Sequence, residues 1–112
     1  LYSFAFPCDQ KKMRSPQVLA KGAGAVALRI RDLAAARRVP ILEAPPLARA
    51  LFRHSEIGQH IPGTLYAAVA EVLAWVWQLR RWKVEGGLIP KKPDNLPVPE
   101  GLDFAGEQKS DV

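Results

Sequence analysis

Few residues in this 112-residue sequence could do chemistry: His54, Glu56 and His60, the lone Cys8, and the pair Gly22-x-Gly24. His-x-Glu is half of a zinc deaminase site, which also needs a Pro-Cys-x-x-Cys segment to complete the metal's coordination. The sequence has a single cysteine, so that half is missing. Two imidazoles and a carboxylate would bind metal only unspecifically, and we read them as polar residues at a helix end and a loop. Gly22-x-Gly24 begins a dinucleotide fingerprint, but the third glycine is absent. Only Glu43 stands about 20 residues on, where the ribose-binding acid belongs. Cys8 cannot form an internal disulfide and reads as a small, semi-buried hydrophobe. The acids of residues 1–84 are scattered, and no nucleophile elbow, P-loop or His-Glu-x-x-His occurs. We expect no catalytic residue, metal or cofactor.

Binding chemistry is better represented. The net charge of +5 is uneven: residues 1–84 hold 13 basic and 5 acidic residues, +8, and residues 85–112 hold 3 and 6, −3. A basic body suits an acidic protein, nucleic acid or an anionic membrane face. An RNA-reading sheet would display paired aromatics, for which only Tyr2, Phe4 and Phe6 qualify. Their i, i+2, i+4 spacing puts them on one face of a strand, where core packing explains them without nucleic acid. Trp75, Trp77 and Trp82 have two readings: core edges with the indole N–H wet, or an exposed patch for a partner.

The elements that position these residues follow from periodicity. Tyr2–Phe6 reads as a short strand ended by Pro7, and 17–21 as a second, between Pro16 and Gly22. Ala25–Arg38 has helical spacing, with Val26, Ile30, Leu33 and Ala34 on one stripe. Residues 39–44 read as a third strand, so 17–43 forms a βαβ unit with parallel pairing. Pro45-Pro46 breaks the chain before a helix over Leu47–His54 whose apolar face is Leu47, Ala50 and Leu51. Thr64 is the expected N-cap of the longest helix, Leu65–Trp82. Leu65, Val69, Val72, Leu73, Val76 and Leu79 form its stripe, expected to dock across the sheet.

These readings make an α/β domain over residues 1–84. Its small sheet has about three to four short strands, mostly central, and is flanked by helices. Residues 85–112 contain four prolines and four glycines and read as a flexible, disordered tail. No apolar run approaches the roughly 18 residues that span a bilayer, and no signal-peptide layout opens the sequence. The chain as given is expected to be soluble, which leaves attachment to a membrane-bound whole open.

Several stretches resemble the FlhB/YscU family of type III export switch proteins. They are Lys12-Met13-Arg14-Ser15-Pro16, Val18 to Gly22, Ala27 to Arg31, Pro40 to Ala44 and Leu65 to Ala74. The most specific is Pro45-Pro46-Leu47-Ala48-Arg49-Ala50-Leu51, followed by Glu56-Ile57-Gly58. Leu96-Pro97-Val98-Pro99-Glu100 resembles flagellar rather than injectisome members.

The resemblance implies a substrate-docking and specificity-switch domain on the cytoplasmic side of the bacterial inner membrane. Its implied partners are early rod and hook substrates, a hook-length control protein, export gate components, and the membrane-embedded and N-terminal cytoplasmic parts of the same protein. The family's docking pocket falls on Ser15, Pro16, Ala70 and Leu73, where a rigid proline and a small alanine suit a shallow groove for a short apolar signal. Serine at 15 stands where alanine is usual in the family. The self-cleaving Asn-Pro-Thr-His is absent, with Leu1 where its His would stand, so the chain is expected to match the post-cleavage fragment and not to cut itself. A third hypothesis, beside docking and nucleic-acid binding, is that the chain is unstable alone and needs an N-terminal fragment to complete its sheet. The alternatives are the equivalent injectisome domain and a small basic nucleic-acid-binding domain.

Overall fold

The computed structural model describes residues 1–7 and 17–102. Two strands, β1 (Tyr2–Ala5) and β2 (Ala20–Ala23), pair antiparallel with Ser3 opposite Gly22. Three α-helices follow: α1 (Ala25–Ala36), α2 (Pro45–His54) and α3 (Tyr66–Glu85). The class is α/β, as its patterning indicates. The sheet differs from the expected βαβ unit, because among the described residues it has two strands and its pairing is antiparallel. Residues 39–44 form no strand. Apolar alternation suits a strand, but a strand exists only where another backbone lies beside it.

The second strand also runs later than the apolar pattern suggests. Gln17 and Val18 instead form single bridges to His60 and Ile57, with the Val18 N–H donating to the Gln59 carbonyl at 3.0 Å. Strand β2 continues through Gly22 because α1 lies directly on it. A Cβ there would stand 2.5 Å from Val26 Cγ1 and 3.1 Å from Ile30 Cδ1. Gly24 makes the turn into α1 with φ 58° and ψ −124°, a conformation open mainly to glycine.

Helix α1 ends two residues before Arg38. The Val39 N–H reaches the Ala34 carbonyl at 2.9 Å while Arg38 takes a left-handed φ of 57°, the geometry of a Schellman stop. Its predicted stripe is only partly covered: Ile30 and Ala34 are half-buried, but Val26 and Leu33 are exposed, and Ala27 is the buried residue. A two-stranded sheet is too narrow to cover a whole helix face. Helix α2 begins at Pro45, with prolines in its first two positions, where no intrahelical N–H is needed. Thr64 does not cap α3. It lies in a 3-10 turn, Gly63–Leu65, that leads into the helix with no side-chain cap.

The core joins α2 and α3. Leu47, Ala50 and Leu51 pack with Leu65, Ala68, Val69 and Leu73, closed by Val18 and Ile61. Phe4 and Phe6 pack against this cluster, and the Tyr2 ring meets that of Phe52 in α2 at a 45° tilt, centroids 4.8 Å apart. The strand aromatics therefore serve the core, as their spacing suggests. After Glu85 the chain has no regular structure until a 3-10 turn at Glu100–Leu102. Even so, Leu96, Val98 and Leu102 pack against the core, so the irregular segment is fastened to the body as far as residue 102. Proline prevents helix and sheet pairing in such a segment, but it does not prevent apolar contact.

Candidate functional site

A cleft of about 490 Å³ opens between the sheet and the helices. Strand β1 forms one wall and Val69, Val72, Leu73 and Val76 of α3 form the opposite one. Ile30 and Ala34 of α1, residues 39–44, and the start of α2 complete the lining. The α3 stripe is real, with Leu65, Val69, Leu73 and Val76 buried, but the cleft stands between much of it and β1. The stripe thus does not dock flat across the sheet.

The β1 wall has an identifiable chemistry. The Gly24 N–H donates to the Leu1 carbonyl at 2.9 Å, so Leu1 and Gly24 face each other across the ladder. Antiparallel alternation then turns the backbone of Ser3 toward β2 and that of Phe4 away from it. No third strand takes up that outer edge among the described residues. The Ser3 hydroxyl donates to the Ala27 carbonyl at 2.8 Å and locks β1 to α1. Leu1, Val39 and Ile41, all exposed, make the rim apolar. Arg31 and Glu43 approach to 3.9 Å at the rim, a solvent-exposed pair of small energetic weight.

The predicted site residues distribute unevenly around this cleft. Leu73 lines it and is 6% exposed. Ala70, one turn earlier on α3, is exposed and outside the lining. Ser15 and Pro16 lie outside the described residues, as does Cys8. From the Pro45–Arg49 run, Pro45, Leu47, Ala48 and Arg49 line the cleft, while Pro46 is exposed on the outer side of the helix start. Four of the run's five residues thus line the cleft. Sequence reasoning missed β1's outer edge and residues 39–43 as lining. No sequence signal identifies them, since their place at the cleft depends on tertiary packing.

The tryptophans divide between their two readings. Trp75 is buried, its indole N–H covered and without a hydrogen-bond partner among the described residues, rather than at a wet core edge. Trp77 is half-buried beneath the Arg80 guanidinium, 5.3 Å from its ring centroid. Trp82 donates to the Gly87 carbonyl at 3.0 Å, across the turn that ends α3. His54 and His60 belong to no group of possible metal ligands among the described residues. No described helix is long and apolar enough to cross a membrane.

Comparison with known proteins agrees with the fold and the motif. A sequence profile described as the FlhB HrpN YscU SpaS Family matches residues 2–76. The chain is 76% identical over 107 residues to the flagellar biosynthetic protein FlhB of Yersinia enterocolitica, covering 96% of this chain and 28% of that protein. It is 66% identical over 110 residues to FlhB of Salmonella typhimurium, covering 98% of this chain and 29% of the relative. The chain thus spans little more than a quarter of these relatives' length. Among solved structures, the cytoplasmic domain of FlhB from Shewanella putrefaciens superposes with a TM-score of 0.81 at 41% identity, over 92% of this chain and 81% of that one. The PscU C-terminal domain gives a TM-score of 0.64 at 37% identity, over 67% of this chain and 95% of that one.

Proposed function

The chain belongs to the FlhB HrpN YscU SpaS family, and from that premise we propose that it is the substrate-docking and specificity-switch module of a flagellar type III export apparatus. In this reading it is a receiver of substrates on the cytoplasmic face of the inner membrane. The observation that carries this reading is the apolar cleft with Leu73 in its wall and exposed Ala70 one turn away. Ser15 and Pro16 are the further docking residues of this proposal. Such a surface suits a short apolar export signal of a rod or hook substrate. The hook-length control protein and the export gate are the further proposed partners. Greater identity to the flagellar relatives than to PscU favours a flagellar over an injectisome setting.

Ala70→Asp tests this. The position is exposed, so the fold should survive, as far-UV circular dichroism would verify. Capture of a hook-type export substrate by the immobilised chain should fall at least about tenfold, because a carboxylate beside an apolar signal is left desolvated and unpaired. Undiminished capture by the folded variant would remove Ala70 from the docking surface.

A second reading rests on the outer edge of β1. The cleft is lined by β1, whose outer edge pairs with no third strand among the described residues, and by the apolar α3 wall, which suits strand addition. The proposed occupant is the N-terminal cytoplasmic part of the same protein. A peptide of that part should raise the melting temperature of this chain in a concentration-dependent way, and Ala70→Asp should not weaken the effect. No rise at saturating peptide counts against it.

A further inference from the structure

At the end of α3, remote in function from the cleft, the chain reverses on Gly86 and Gly87, both with left-handed φ, of 76° and 97°. The reversal is held by two bonds to one residue: the Gly86 N–H donates to the Trp82 carbonyl at 2.8 Å, and the Trp82 indole donates to the Gly87 carbonyl at 3.0 Å. This fixed turn presents Val84, Leu88 and Ile89 at 87%, 96% and 68% exposure. Leu88 and Ile89 border one shallow hollow with Arg81 and Trp82, so these side chains occupy one side of the tip. Residues 80–92 hold five cations, Arg80, Arg81, Lys83, Lys91 and Lys92, against the single carboxylate of Glu85.

We propose that this tip is a membrane-docking element that seats on an anionic lipid surface, its aliphatic residues entering the headgroup region and its cations pairing with lipid phosphates. Charge complementarity selects an anionic partner. The aliphatic residues select a bilayer among anionic partners. They stand exposed on a turn, which a lipid interface accepts without matching shape, whereas a protein partner needs a complementary pocket and nucleic acid favours aromatic stacking. The indole beside them suits the wet, half-apolar headgroup layer. The contact is peripheral, since nothing in the tip is long enough to span.

Vesicle co-sedimentation of the full chain decides it. Vesicles of phosphatidylglycerol and phosphatidylethanolamine should retain the protein, and phosphatidylcholine vesicles should not. Raising salt from about 0.05 M to about 0.5 M should weaken retention several-fold. Lys91→Glu/Lys92→Glu and, separately, Leu88→Ser/Ile89→Ser should each lower the partition coefficient about tenfold, with circular dichroism unchanged. Equal retention on neutral vesicles, no retention on anionic ones, or either folded double variant binding like the parent overturns the proposal. Retention on polyglutamate or heparin without retention on anionic vesicles assigns the tip to an acidic macromolecule instead and equally overturns it.

Discussion

The Lys21 ammonium donates to the Ser55 carbonyl at 2.7 Å, so the strand that carries Gly22 is pinned to the end of α2, which closes the core beside the cleft. The same ammonium donates to the Phe52 carbonyl at 3.2 Å and lies 5.1 Å from the Phe52 ring centroid. A cation at a helix C-terminus meets carbonyls that have no intrahelical partner, and there it also opposes the helix dipole favourably.

Lys21→Met should therefore lower the unfolding free energy by about 1.5–3 kcal/mol, the usual cost of losing charged hydrogen bonds at a largely covered site. Lys21 also approaches Glu56 at 3.5 Å, but that carboxylate is 69% exposed. Glu56→Gln should change stability by less than about 0.5 kcal/mol. Urea denaturation followed by circular dichroism measures both, and an equal effect of the two variants would contradict the assignment of the energy to the backbone carbonyls.

Gly22→Ala should be destabilising by about 1–3 kcal/mol, because the added methyl meets Val26 at 2.5 Å and the backbone nitrogen of Ala27 at 3.1 Å. Gly63→Ala, with nothing within 4 Å of the new methyl, is the matched control and should stay within about 0.5 kcal/mol. A thermal melt of each variant compares them directly.

Arg38→Gly should stabilise the chain by about 0.5–1 kcal/mol despite removing a side chain. Arginine at φ 57° carries a left-handed penalty that glycine does not. A fall in the denaturation midpoint would mean that the Arg38 side chain contributes more than its backbone strain costs.

Amide exchange should alternate along β1. The Ser3 N–H, facing β2, should exchange slowly, and the Phe4 N–H, turned away from β2, should exchange much faster. Occupation of the cleft by an added strand should slow Phe4 selectively. Uniform protection of both in the isolated chain would show that the outer edge of β1 is already covered.

Leu96→Ala and Leu102→Ala should each destabilise by about 0.5–1.5 kcal/mol, since both side chains are half-buried against the α2–α3 core. Leu88→Ala, at 96% exposure, should have no measurable effect on stability. Identical melting temperatures for all three would mean that the segment after α3 does not hold to the body in solution.

What the sequence determined by itself is local. Helical periodicity sets the buried face of α3, and Pro45-Pro46 sets where α2 begins, because 3.6-residue spacing and a missing N–H act within a few residues. The alternation of Tyr2, Phe4 and Phe6 likewise identifies the core side of β1. Periodicity names the face that leaves water but not what stands opposite it, and the expectations failed where that mattered. Residues 39–44 have a strand's composition without a neighbouring backbone, Val26 and Leu33 have a core stripe's spacing without a sheet wide enough to cover them, and Leu96, Val98 and Leu102 find a core from a segment without periodicity. The cleft was legible only in part, through Leu73 and the Pro45–Arg49 run. Its other wall and rim come from Leu1–Phe6 and residues 39–43, which tertiary packing alone brings to α3. Only the tertiary structure could decide that placement, because contacts between residues far apart in the chain depend on how whole elements fill space together.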